Sequence, residues 1–167
     1  EVNRADEYDA TPLCVACKKG RVDAARLLLD NGADVNRADK DGWTPLSMAC
    51  YMGHVDTARL LLDKGAEVDR ADKQGATPLY IACRKGHVKA ARLLLDKGAD
   101  ASRVTTKGAT PLGVARKKGH SSIVALLEEH LDSKFPLHAA ARTGDVEAMT
   151  HLPEGGAEVD QTKGDGE

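Results

Sequence analysis

The sequence predicts an all-α repeat protein, a solenoid of stacked helix-turn-helix units. Three observations lead there. Thr-Pro-Leu begins at residues 11, 44, 77 and 110, in steps of 33 residues, and a Phe-Pro-Leu variant follows at 135 after a step of 25. Self-similarity at such a period marks a stack of like supersecondary units. Alanines 16, 49, 82 and 115 and glycines 20, 53, 86 and 119 keep the same period, which is how two helices can approach closely in every unit. Only one Phe and one Trp are available to fill a globular core in 167 residues; a stacked core of Leu, Ala and Val fits better.

Each unit follows one local grammar. Thr11 offers a hydroxyl as N-cap, and Pro12 takes the first helical position, where its missing N–H costs nothing and its φ is already helical. Leu13 and Ala16 then share a face of a short helix that Gly20 ends. A second helix begins near Val22, with Val22, Ala25, Leu28 and Leu29 at helical spacing and Asp23, Arg26 and Asp30 outward. Gly32 is placed for the left-handed conformation that caps a helix end. Between helix pairs runs the polar segment Val35-Asn36-Arg37-Ala38-Asp39-Lys40-Asp41-Gly42, which periodicity alone reads as a loop.

The unit from Thr77-Pro78-Leu79 through Gly86-His87 and Leu93-Leu94-Leu95 to Gly98-Ala99-Asp100 closely resembles the ankyrin repeat. That family's usual text is Thr-Pro-Leu-His, then Ala, Gly-His, Leu-Leu-Leu and Gly-Ala-Asp-Val-Asn, and the likeness covers nearly the whole chain. It implies an ankyrin-repeat solenoid whose inter-repeat loops are β-hairpin-like fingers. On this reading 1–10 is the finger of a truncated preceding repeat, 11–43, 44–76 and 77–109 are repeats, 110–134 is a shortened repeat without a finger, and 135–167 is a degenerate C-terminal repeat. In the fourth repeat the stretch 121–134 lacks the Gly-Ala-Asp segment, so its second helix is expected to run on into the fifth, with a local change of stacking angle. The fifth restores His138 and Gly156-Ala157-Glu158-Val159-Asp160, but Pro153 replaces the third Leu. A proline inside a helix costs about 3 kcal/mol, so that helix should be short or kinked.

Composition and motifs offer little chemistry. Lys plus Arg (24) and Asp plus Glu (26) nearly cancel to −2, which gives no nucleic-acid or membrane signature. No apolar run approaches the roughly eighteen residues that span a bilayer, and residues 1–20 lack the segments of a signal peptide. The expectation is a soluble intracellular protein, cytoplasmic or nuclear, and a monomer. Cys17, Cys50 and Cys83 occupy one small position in three repeats and read as packing. The Cys-x-x-Cys of Cys14 and Cys17 has no second half to complete a zinc site and falls on a helix, and four free thiols suit a reducing compartment. His54, His87 and His120 are one repeat apart, about 10 Å by ordinary helix packing, too far to share a metal. Glu128 and Glu129 read as solvated surface. Gly155-Gly156 lacks the strand and Lys-Ser/Thr of a phosphate loop. The reading is therefore no enzyme, no cofactor and no metal.

What remains informative is where the repeats differ. Four of the five aromatic residues, Tyr8, Trp43, Tyr51 and Tyr80, stand at variable positions of the fingers and first helices. The resemblance implies that these elements line a concave face that holds protein partners, and aromatics and Arg dominate binding hot spots. The candidate partner-binding residues are Tyr8, Trp43, Tyr51, Met52, Tyr80, Arg84, Lys85, Lys117 and Lys118. Trp43 could equally serve to cover a neighbouring repeat, and cations at a helix C-terminus gain about 0.3–1 kcal/mol from its dipole without any partner. The expected function is a non-catalytic scaffold binding a protein or peptide of acidic and apolar character. The alternative is a structural spacer or targeting arm of a larger protein. Asn36, by the same resemblance, is a candidate position for asparagine hydroxylation.

Overall fold

The computed structural model describes residues 1–136, 140 and 144. Eight helices lie among them: α1 (Pro12–Lys18), α2 (Val22–Asp30), α3 (Pro45–Met52), α4 (Val55–Asp63), α5 (Pro78–Lys85), α6 (Val88–Asp96), α7 (Pro111–Lys118) and α8 (Ser121–Lys134). The chain divides into two units, Glu1–His130 and Leu131–Glu167.

The first unit is built from the capping chemistry that the Thr-Pro-Leu text specifies. The hydroxyls of Thr11, Thr44, Thr77 and Thr110 accept from the backbone N–H groups of Cys14, Ser47, Tyr80 and Gly113 at 3.3, 3.1, 3.2 and 3.0 Å. A cap of this kind stabilises its helix by about 1 kcal/mol, and here it satisfies a backbone donor that helix geometry leaves free. With their ends fixed, the first helices pack in a row, α1 on α3 on α5 on α7. α1, α3 and α5 each also pack on the second helix of their own repeat, and α2, α4 and α6 form a looser second row. The core between the rows is aliphatic: Leu13, Leu46, Leu79, Leu61, Leu94 and Leu127 are fully buried, with Ala49, Ala82 and Ala115 at the close contacts.

Two further devices set one repeat upon the next. The His87 ring lies over Gly53 of the preceding repeat, its Nε2 within 3.0 Å of the Tyr51 carbonyl oxygen at the end of α3. His120 repeats the arrangement against the carbonyl of Arg84, at 3.3 Å. The histidines thus serve orphan carbonyls at helix C-termini rather than a shared metal. On the solvent side Asp30 meets Lys64 and Asp63 meets Lys97, both at 2.8 Å. Hydrogen bonding to each lysine, together with its charge, lowers both carboxyls from their ordinary range, although exposed pairs of this kind contribute little stability.

The fingers take a hairpin-like form without strands among the described residues. Their tips are closed by side chains: Asp39 Oδ1 accepts from the N–H groups of Asp41 and Trp43, and Asp72 Oδ1 from those of Gln74 and Ala76, all at 2.9 Å. Among the described residues successive fingers share single backbone bonds, such as Lys73 N to Asp41 O at 3.1 Å and Thr106 N to Gln74 O at 2.9 Å. Loop positions without the family's usual histidine find substitutes. Cys14 Sγ donates to the Arg37 carbonyl at 3.7 Å, and Ser47 Oγ shares a hydrogen bond with Thr44 Oγ1 at 3.1 Å.

In the fourth repeat α8 runs for 14 residues to Lys134, as its missing Gly-Ala-Asp segment suggested. Glu128 differs from the expected solvated surface: it pairs with Arg116 at 2.6 Å. Of the second unit the structure describes the end of α8 with Phe135, Pro136, Ala140 and Gly144. The other expectations for the fifth repeat, including His138, Pro153, Gly155 and Gly156–Asp160, and the change of stacking angle, lie outside the described residues.

Two substitutions test this account of stacking. Gly53 has φ +76° and an added Cβ would stand 2.7 Å from His87 Nδ1, whereas Gly32 has φ +82° with nothing within 4 Å. Gly32→Ala should therefore cost only the left-handed strain, about 1–2 kcal/mol, and Gly53→Ala clearly more, by urea unfolding. Equal losses would show that the histidine contact does not matter. Among the described residues Thr57 Oγ1 is buried without a hydrogen-bond partner; Thr57→Val keeps the shape and removes that group, and should raise stability by about 1–2 kcal/mol in the same assay.

Candidate functional site

The variable side chains of the first unit gather along the fingers and first helices, and they divide into two regions. In the first, the Trp43 ring at the base of one finger meets the edge of Tyr51 on α3, with centroids 5.3 Å apart at 74°. Lys85 of α5 lies over the other side of this cluster, its Nζ 4.3 Å from the Tyr51 centroid. Such contacts contribute about 0.5–1.5 kcal/mol each beyond buried area, so Tyr51 and Lys85 have structural partners of their own. Met52, the last residue of α3, is 42% exposed. Tyr8 lies apart on the first finger, 55% exposed, with Lys40 Nζ 4.4 Å from its ring.

The second region is an open cleft of about 520 Å³ between two fingers and the helices α5 and α7. It brings together Trp43, Tyr80, Arg84, Lys117 and Lys118 of the expected residues. It also contains residues not singled out from sequence, chiefly Lys107 on a finger tip and Gly113 and Val114 on α7. Their signal was present: all three stand at positions that vary between repeats, but a missing side chain at Gly113 does not announce itself as a site. Among the described residues Arg84, Lys107, Lys117 and Lys118 form no ion pair. The one carboxylate in the lining, Asp72, is buried and held in its finger turn. The cleft lining thus combines small apolar groups with four cations.

Other candidates have structural duties. Asn36 joins two repeats, its Oδ1 accepting from Glu67 N at 2.9 Å and its Nδ2 donating to Gly65 O at 3.4 Å. Cys14, Cys17, Cys50 and Cys83 are buried free thiols. Burial pushes Cys17 and Cys83 up to about 12 and raises Cys14 and Cys50 as well, the reverse of an activated thiol. Among the described residues no three His, Cys, Asp or Glu side chains are grouped to hold a metal, and no helix is long and apolar enough to cross a membrane.

Two family models match the chain, ankyrin repeats (3 copies) over residues 37–105 and ankyrin repeats (many copies) over residues 1–49. The chain is an ankyrin repeat protein. No curated protein matches it. Ankyrin repeats are in general protein–protein interaction modules and typically not catalytic.

The thiols of this ankyrin array supply a pH prediction. The unfolded chain ionises Cys17 and Cys83 near their ordinary 9.0 and the folded chain near 12. Their contribution is intact below pH 9 and is lost as pH rises from 9 toward 12, because the unfolded state releases its protons first. Urea midpoints should fall over that window, and less steeply in a Cys17→Ala/Cys83→Ala protein. Parallel curves for the two proteins would contradict the assignment.

Proposed function

We propose that this ankyrin array is a non-catalytic scaffold that binds a partner protein through the finger and first-helix face of its first unit, centred on Tyr80 and Arg84. The observation that carries the reading is the open cleft whose four cations have no ion-pair partner among the described residues, beside the half-buried Trp43 and Tyr80. Cations that served only helix dipoles or neighbouring carboxylates would not need to converge on one recess from two helices and a finger. The partner segment is acidic, which also gives association a dependence on ionic strength. Tyr51 borders this surface, packed against Trp43 on one hand and Lys85 on the other, and Lys117 and Lys118 extend it along α7.

Capture of partners from native lysate, followed by affinity measurement on the captured protein, tests the reading. Tyr80→Ala should weaken the complex by about 2 kcal/mol, roughly 30-fold, as a hot-spot aromatic does. Arg84→Glu with Lys85→Glu should weaken it further and flatten its salt dependence. Unchanged affinity and salt response in the charge-reversed protein would place binding elsewhere.

A further inference from the structure

The cleft owes its opening to two departures from the text of the neighbouring repeats. Trp43, Ala76 and Ala109 are equivalent residues, as are Tyr80 and Gly113. Where the indole stands, it packs against Tyr51; at the equivalent Ala76 and Ala109 there is no ring, and both residues line the cleft. Gly113 opens the recess further. Its backbone does not require glycine, since it is absent from the left-handed positions. A Cβ there would closely approach only the Thr110 hydroxyl, at 3.1 Å. Gly113 is the third residue of α7, in its capped first turn, where glycine still holds its backbone at an entropic cost that a side chain would lessen.

The recess left over Gly113 is floored by Val114, Ala76 and Ala109, small apolar groups, while Arg84, Lys107, Lys117 and Lys118 stand in its lining. We infer that this recess seats one aliphatic side chain of an extended acidic segment in the partner protein, with the segment's carboxylates on both sides meeting the four cations. The inference rests on the scaffold reading above and specifies its ligand. Charge complementarity selects the acidic flanks. The small apolar side chains of the lining, Ala76, Ala109 and Val114, select an aliphatic group.

Trp43, the sole tryptophan, lines the cleft and reports on it directly. The full 167-residue chain is titrated, at low salt, with a nonapeptide carrying leucine between two blocks of four glutamates, and with its alanine-centred counterpart. The leucine peptide should bind about tenfold more tightly, the effect of burying one aliphatic side chain. Gly113→Leu, which favours helix and so keeps the fold, should fill the recess and bring the ratio to about one while retaining salt-sensitive binding. Lys107→Glu with Lys118→Glu should weaken both peptides by at least tenfold. Equal affinities of the two peptides for the unsubstituted chain, or a ratio unaltered by Gly113→Leu, would overturn the inference. So would tighter binding of a single-stranded oligonucleotide of equal charge, or no saturation by either peptide up to millimolar concentration. If the ratio is one while Arg84→Glu/Lys85→Glu still weakens the captured partner, the aliphatic seat alone is wrong. If capture is also insensitive, the scaffold surface has been misplaced as well.

Discussion

No helix pair in this chain can bury its own apolar surface; each depends on the pair beside it. The leucines at one repeat position show how strongly. Leu60, Leu93 and Leu126 are 6, 4 and 7% exposed, whereas Leu27, which no neighbouring helix pair among the described residues covers, is 65% exposed. Burial of such a side chain stabilises by about 1.5–3 kcal/mol, so the interface between repeats, rather than the repeat, is the unit of stability. The small Ala and Cys residues of the first helices let α1, α3, α5 and α7 approach closely enough for that burial. The histidine–glycine contacts then fix the register between repeats at one end of the helices, and the Asn36 bridge does so at the other end between the first two repeats.

That constraint divides the residues into two sets with different duties. Frame residues must recur every 33 positions because each interface is nearly the same interface. Residues that face the fingers are released from it and can vary, and their variation shapes the surface. Across the first three repeats Trp43 and Lys85 each pack on Tyr51. Toward the fourth repeat Ala109 and Gly113 leave the surface open, beneath cations that no carboxylate among the described residues engages. A binding surface here follows from omission: side chains that would have filled the recess are missing while the frame beneath is unchanged.

Much of the frame was legible in the sequence, because caps, glycines and small residues act locally and repeat. Thr44, Pro45, Leu46 and Gly53 each announce a helix boundary or a core position with no knowledge of neighbours. The tips of the fingers were less legible, since Asp39 and Asp72 close them through bonds to backbone groups that only the folded loop brings near. Arg116 with Glu128, and Tyr51 between Trp43 and Lys85, are contacts across helices that spacing along one helix does not reveal. Composition could point to Tyr80 and Arg84 as unusual. It could not show that Lys107, on a finger, converges on the same cleft, nor that Gly113 marks a recess.

The central claim is that departures from the repeated text, and not the text itself, make the binding surface. Backbone amide chemical-shift mapping of the chain with its captured partner tests that most directly. The account predicts the largest changes at Trp43, Tyr80, Arg84, Lys107, Gly113 and Lys117, with small ones along α2, α4 and α6. Changes concentrated on those second helices, around Arg26, Arg59 and Lys64, would contradict it.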